Sequence, residues 1–422
     1  MDNRKNKRIT KKIKVFGIVQ GVGFRPLVYR IAKKHKISGT VRNVGGFVEI
    51  ITHSVQEDFD LFILDLKTNK EGYCEIIKLE IEDISQIGNI PQNEWEDFVI
   101  IDSRTSGEVS IIPPDLPVCP ECQKELYEKL NRRILNPFIS CMSCGPRYSI
   151  IEELPYDRFT TTMRDFDMCN ACNEEYVSPT SRRFHAQTIS CNDCGPYLIY
   201  HDMEDQGLLE NYSTVKDTIK NESNEIECFK SDQIEQEALV KAIDAINSGG
   251  IIAVKGIGGY HLVCSPFNEV AVQNLRKLKG REEKPFAVMF ETLDSIEDYC
   301  LVSEEEKSLL ATKARPIVLL YTKGDIMAPS TNKGSIYCGT FLPYTPLQML
   351  LTNKCGPLIM TSANSSNEPI IKDDTTMLSL KSPYLNGVLY NKRRIVRSVD
   401  DSVAKIVDHK PQLIRRSRGY VP

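Results

Sequence analysis

Gly17-Ile18-Val19-Gln20-Gly21-Val22-Gly23-Phe24-Arg25-Pro26 marks the point where the pattern of the chain changes. Before it, Val15-Phe16-Gly17-Ile18-Val19 carries the apolar alternation of a strand, and after it about Pro26 to His35 reads as a helix. The glycines therefore fall on a strand-to-helix turn. There they let successive backbone N–H groups converge, the helix start adds partial positive charge, and Arg25 can grip two oxygens of one anion. A tight turn alone would explain the glycine pair; Arg25 beside it points to a phosphate cradle.

Working outward, strands fit around Gly39 to Val44 and Phe47 to Thr52 about the turn Gly45-Gly46, followed by a helix from about Val55 to Thr68. Two further strands, near Ile76 to Ile81 and Phe98 to Ile101, complete a β-α-β-β-α-β order, the ferredoxin-like arrangement, over residues 12–101. Residues 1–12 hold six Lys or Arg without apolar periodicity and read as a solvated tail. Gly17 to Arg25 matches in full the signature G-x-V-Q-G-V-G-F-R, and with Gly39-Thr40-Val41-Arg42-Asn43-Val44-Gly45-Gly46 the region resembles acylphosphatases. The resemblance implies that Arg25 binds the phosphoryl group and Asn43 orients the attacking water. An acyl phosphate is already activated, so positioning and charge stabilisation suffice without a strong base. For Asn43 alone the plain alternative is a turn-forming asparagine, and the catalytic reading outweighs it.

Eight of the 14 cysteines fall into two identical frames. Cys119, Cys122, Cys141 and Cys144 form C-x2-C-x18-C-x2-C, and Cys169, Cys172, Cys191 and Cys194 repeat it 50 residues on, within residues 108–200. Few long apolar runs occur there, so bound zinc is the expected source of stability. Four cysteines close the coordination shell, which makes both Zn²⁺ sites structural. Each such site carries a net −2, and Arg132-Arg133 and Arg182-Arg183, also 50 apart, are placed to compensate. His185 is assigned a role beside a site or at a substrate, since the four thiolates already suffice. Cys74, Cys228, Cys264, Cys300, Cys338 and Cys355 read as small buried hydrophobes.

Residues 201–232, rich in Asp, Glu, Asn and Ser, read as a linker. The third domain, 233–410, opens with a helix from Ile234 to Asn247, stops at Gly249-Gly250, and continues with strands at Ile251 to Val254, Phe286 to Phe290, Ile317 to Tyr321 and Leu358 to Thr361, an α/β pattern. Lys279-Gly280-Arg281 and Thr361-Ser362-Ala363-Asn364 supply the cations, hydroxyl and amide that a triphosphate and a small acyl group require. For Lys279 and Arg281 the plain alternative is a solvated helix end. The K-x-R and S-x-N pairs are similar to those of YrdC-type domains, which make carbamoyl-adenylates from ATP. Residues 249–262, 284–289, 342–347 and 397–403 look like the YrdC domain of the HypF family. That resemblance implies a nucleotide and carbamoyl pocket lined by Lys279, Arg281, Ser362 and Asn364, with Lys255, Tyr260 and His261 near its mouth. Gln348 and Tyr390 stand where the HypF pattern usually has histidine.

The order acylphosphatase-like, paired zinc modules, YrdC-like, a multidomain α+β and α/β chain, resembles the N-terminal part of HypF carbamoyltransferases of [NiFe]-hydrogenase maturation. It implies a hydrolase and ligase sequence: carbamoyl phosphate is hydrolysed, the carbamate is adenylated by ATP with Mg²⁺, and the carbamoyl group is passed to the protein HypE for cyanide ligand synthesis. Asp400 and Asp401 are the candidate Mg²⁺ ligands. Residues 411–422 resemble the junction to a C-terminal transferase domain, so the final transfer is not expected from this chain alone. Because free carbamate decomposes quickly, the domains are expected to share a water-poor passage. With 53 Lys plus Arg against 57 Asp plus Glu and no apolar run of membrane-spanning length, neither a membrane nor a nucleic-acid partner is called for, and a cytoplasmic protein is expected. Three readings compete: a threonylcarbamoyl-AMP synthase of tRNA modification, a double-stranded RNA-binding module, and an acylphosphatase with inert appendages.

Overall fold

The computed structural model describes residues 8–68, 74–85, 96–105, 111–203, 227–324, 326–364 and 368–422. The greater part of the expected linker, 204–226, lies outside the described residues. Strands β1 (Arg8–Ile18), β2 (Ser38–Val44), β3 (Phe47–Val55), β4 (Glu75–Asp83) and β5 (Phe98–Ile100) form a sheet in the order β4-β1-β3-β2-β5. Helices α1 (Phe24–Lys34) and α2 (Gln56–Thr68) cover one face through Phe24, Val28, Phe59 and Phe62, which pack on Ile13, Val15, Ile50 and Phe98. The ferredoxin-like order is therefore present, with one correction to the expected tail: β1 already begins at Arg8. Arg8 to Lys12 pair in register with Val55 to Ile51 of β3, and Lys11 and Lys12 meet Asp83 and Glu49 at 2.7 and 3.0 Å. Backbone ladder and ion pairs, which leave no apolar trace in the sequence, hold that end. At the far end of β1, Gly17 sits at φ 134° beside a register shift, and a Cβ there would lie 2.1 Å from the Glu75 carbonyl oxygen.

The cysteine frames each contain one short helix, α3 (Pro120–Tyr127) and α4 (Asn170–Val177), with Cys119 and Cys169 as the residues preceding them. Their small cores consist largely of the cysteines themselves with Val118, Leu126 and Ile139 in one module and Ala186 and Ile189 in the other. Between the modules run two 3₁₀ turns, Arg158–Thr160 and Thr162–Asp165.

Directly after the second frame, β6 (Ile199–Asp202) joins the sheet of the third domain as an edge strand. After the helix Glu227–Asn247 come β7 (Ile252–Lys255), β8 (Tyr260–Cys264), β9 (Ala287–Met289), β10 (Cys300–Leu301), β11 (Ile317–Thr322), β12 (Tyr337–Phe341), β13 (Leu358–Ser362), β14 (Gly387–Tyr390), β15 (Val403–Val407) and β16 (Lys410–Arg415). The order is β16-β15-β11-β12-β9-β13-β8-β7-β14-β6, with β10 on β11. Parallel pairs (β7–β14, β9–β12, β11–β15) stand among antiparallel ones, so the sheet is mixed. Its strands alternate period-2 between two buried faces: Ala253, Tyr260, Leu262 and Ile359 on one, Ile252, Val254, Val263 and Met360 on the other. Helices cover both. The zinc unit contributes Phe138 and Leu198 to the second face, and Val118 N–H donates to the Tyr344 carbonyl at 3.1 Å, so the finger pair is packed onto this sheet. Residues 411–415, expected as junction, lie in the edge strand β16. Among the described residues no helix is long and apolar enough to cross a membrane.

Candidate functional site

The glycine turn after β1 leads into α1 through Gly23, whose φ of 78° suits glycine. Arg25, in the first turn of α1, is buried. Its guanidinium donates to Asp157 Oδ1 at 2.7 Å, to the Tyr156 carbonyl at 3.3 Å and to Ser103 Oγ at 3.3 Å. Asn43, on β2, donates from Nδ2 to the same Tyr156 carbonyl at 3.0 Å. Gln20 ties the two parts together, donating to Gly45 and Phe47 carbonyls while its Oε1 accepts from Tyr156 N–H at 3.1 Å. The cradle thus faces the zinc unit. Arg147 closes it, donating from Nε to the Gly21 carbonyl at 2.6 Å with its guanidinium over the Tyr156 ring. His185 lines the same small cavity, and burial together with the Arg25 charge pushes it down to about 4, so it is neutral at pH 7. Asn43 Oδ1 and Tyr156 OH are buried there without hydrogen-bond partners, as is Asp157 Oδ2 beside Arg25.

Tyr156, Asp157 and Arg147 were not among the sequence-derived candidates. One signal pointed to Arg147: the two frames both continue Cys-Gly-Pro, then differ, with Arg147 in the first where the second has Tyr197. A departure from an otherwise repeated frame marks the copy that faces the cradle.

Each set of four cysteines brings its sulfurs within 4.8 Å of one another. Adjacent sulfurs lie 3.6–3.8 Å apart, as in Cys122–Cys144 and Cys169–Cys191. A tetrahedral Zn²⁺ with Zn–S of about 2.3 Å spaces its sulfurs by about 3.8 Å, so the donor sets fit zinc. The arginines compensate these thiolates across the modules. Arg132 of the first frame donates to Cys169 and Cys191 of the second at 3.2 and 3.0 Å, and Arg133 to Cys172 at 3.3 Å. Reciprocally, Arg182 of the second donates to Cys122 of the first at 2.8 Å. Arg133 and Arg183 also reach Ser190 and Ser140 carbonyls, positions again 50 apart.

In the third region Lys279 ends the helix Glu269–Lys279, and Gly280 at φ 58° turns the chain away. Lys279 Nζ donates to the Ser362 carbonyl and to Asn364 Oδ1, the latter at 3.0 Å, while Ser362 Oγ donates to Asn364 Oδ1 at 2.8 Å. Arg281 stacks on Phe286 and reaches Thr361 Oγ1 at 3.4 Å. The K-x-R and S-x-N segments, 80 residues apart at that contact, therefore meet. Arg276 holds the loop between them, donating to the carbonyls of Arg281, Glu282 and Lys284. Burial and then Arg281 push Lys279 down to about 8, and burial followed by Arg276 and Arg415 pushes Arg281 down to about 10. Lys284 is lowered by burial, Arg281 and Arg415. Lys279, Arg281, Lys284 and Arg415 gather here around Asp400, which Arg415 holds at 2.7 Å. Crowded, partly desolvated positive charge of this kind can hold a polyanion.

The remaining candidates divide. His261 is the register partner of Ser362 and contacts Asp401 at 3.2 Å. Lys255 and Tyr260 face each other across β7 and β8, and their hydrogen bonds lead to Asp374 and Asn391 rather than to Lys279 or Arg281. Of the candidate Mg²⁺ ligands, Asp401 is enclosed by His261 and Arg418 and Asp400 is taken by Arg415, so both carboxylates are already engaged. Gln348 caps its own helix, accepting from Tyr344 and Thr345 N–H at 3.0 Å each, and Tyr390 is buried in β14. Between the first zinc module and the sheet of the third domain lies another cavity, lined by Phe138, Gly145, Ile257, Tyr344 and Arg393.

Three family models match: acylphosphatase over residues 11–100, HypF finger over 118–151 and 168–200, and telomere recombination (Sua5/YciO/YrdC) over 244–417. The chain is 42% identical to the probable carbamoyltransferase HypF of Methanocaldococcus jannaschii, over 97% of this chain and 50% of that protein. It is 41% identical to the carbamoyltransferase HypF of Synechocystis, over 98% of this chain and 50% of that protein. A crystal structure of full-length HypF in its phosphate- and nucleotide-bound form superposes with a TM-score of 0.87 at 37% identity, covering 100% of this chain and 51% of that one. The chain spans about half the length of the curated relatives it matches. With acylphosphatase, finger and YrdC-type parts in one chain and HypF relatives along its whole length, this sequence belongs to the HypF family.

Proposed function

We propose that the chain performs the two activating steps of carbamoyl transfer in the cytoplasm. Water cleaves carbamoyl phosphate at Arg25 and Asn43 into carbamate and inorganic phosphate; carbamate then attacks the α-phosphorus of ATP, giving carbamoyl-AMP and releasing pyrophosphate. Carbamoyl-AMP is the donor for HypE. Lys279, Arg281, Ser362 and Asn364, with Lys284 and Arg415, hold the nucleotide and carbamoyl groups, and Mg²⁺ accompanies ATP through its phosphates. His261 borders this pocket, whereas Lys255 and Tyr260 brace the neighbouring strand ends through Asp374.

The observation that carries this reading is the inward-facing cradle. Arg25 is 8% exposed and Asn43 1%, because the zinc unit covers both. Carbamate formed there meets protein before it meets bulk water, and the cavity beside Arg393 lies on the side of the zinc unit that packs against the sheet of the third domain. A sheltered route suits an intermediate that decomposes in water.

The test supplies carbamoyl phosphate with MgATP and measures pyrophosphate and AMP in wild type, Arg25→Ala and Lys279→Ala. Both variants are expected to lose about a hundredfold in product, the scale of removing one transition-state charge partner. Wild-type yield from Arg25→Ala would reject the hydrolytic step.

A further inference from the structure

We propose that Asp157, from the segment between the two zinc modules, is the specificity residue of the cradle and accepts a hydrogen bond from the amide N–H of carbamoyl phosphate. The inference rests on the preceding reading of the cradle and names what selects its substrate. An acylphosphatase cradle of glycine N–H groups and one arginine recognises the phosphoryl end, which every acyl phosphate shares. Carbamoyl phosphate differs from acetyl phosphate in presenting –NH₂ where the latter has –CH₃. Discrimination therefore needs a buried acceptor close to Arg25 that lacks a partner of its own.

Asp157 meets this description. Its Oδ1 is engaged by Arg25 at 2.7 Å, while its Oδ2 is buried and unpartnered. Of the other unpartnered atoms at the cradle, Asn43 Oδ1 is the atom left for the attacking water, and the Tyr156 hydroxyl can turn its own proton toward a ligand, whereas a carboxylate oxygen only accepts. Arg25, bonded to the other oxygen, places a positive charge against this carboxylate. An amide N–H aimed at Oδ2 satisfies the orphan atom; a methyl group leaves it desolvated without compensation. A site built to accept from a substrate N–H rejects the analogue lacking it far more strongly than shape alone could.

The experiment compares kcat/KM for carbamoyl phosphate and acetyl phosphate, by phosphate release from the full chain, in wild type, Asp157→Asn and Asp157→Ser. Asp157 begins the 3₁₀ turn Arg158–Thr160, its N–H donating to Thr160 Oγ1 at 3.0 Å, and both replacements are good residues for that position. Zinc content of two per chain verifies folding. The carbamoyl-to-acetyl ratio of kcat/KM is expected to fall by at least about tenfold in both variants. A ratio unchanged within about twofold, even with both rates lowered together, would mean that Asp157 merely orients Arg25, and overturns the proposal. If wild type hydrolyses neither compound, the reading of the cradle itself fails, an outcome distinct from an unchanged ratio.

Discussion

Lys279 is a cation in a place that disfavours cations. Burial and Arg281 bring it from the ordinary 10.5 down to about 8, with Asp400 opposing weakly. Between those values the unfolded chain holds a proton that the folded chain has released. Its burial therefore costs stability below about pH 8, and the cost shrinks as pH rises toward 10.5. A bound triphosphate reverses the balance by restoring the charge. At pH 9 nucleotide binding should take up close to one proton, and at pH 6.5 almost none, as read by calorimetry in two buffers of different ionisation enthalpy. Lys279→Met should abolish that uptake. At this scale Arg25, Asn43, Lys279 and Ser362 were legible because each sits in a local motif. Asp157 and Arg415 were not: Asp157 acquires its meaning from Arg25, 132 residues away, and Arg415 from the fold that brings it to Arg281 and Lys284.

At the scale of elements, the zinc modules are joined by crossed arginine contacts. Arg182 should therefore protect the module to which it does not belong. Arg182→Met, challenged with a chelator and an alkylating agent, is expected to expose Cys119, Cys122, Cys141 and Cys144 before the other four, as mapped by mass spectrometry of the peptides. Loss of protection confined to Cys169 to Cys194 would contradict the crossing. Core strands respond differently: Phe341 on β12 is fully buried, and Phe341→Ala should cost about 3–5 kcal/mol, read as an earlier denaturant transition with both zinc ions retained. The cysteine frames and the ferredoxin-like order could be read directly, because spacing and periodicity are local quantities. The first turns of β1 could not, since Arg8 to Lys12 are recruited by partner strands and by Asp83 and Glu49. Nor could the two edges of the larger sheet, β6 and β16, which lie outside the span where helices and strands alternate.

For the molecule as a whole, the cradle belongs to two units at once: β1, β2 and α1 supply Arg25 and Asn43, and the zinc unit supplies Tyr156, Asp157 and Arg147. Stripping zinc should therefore disable acyl phosphate hydrolysis although no zinc ligand lines that cavity. Phosphate release before and after chelation, with restoration by added Zn²⁺, checks this; undiminished hydrolysis by zinc-free chain would show the cradle to be self-sufficient. The domain order was visible from sequence. How the parts face one another was not, because it depends on single long-range contacts such as Arg25 with Asp157 and Val396 with Ser149.

The crossed arginines also bear on what rearrangements of the gene this architecture tolerates. Deleting one finger would strip the survivor of its cationic cover and leave its own guanidiniums facing empty space, so the twins are heritable only as a pair.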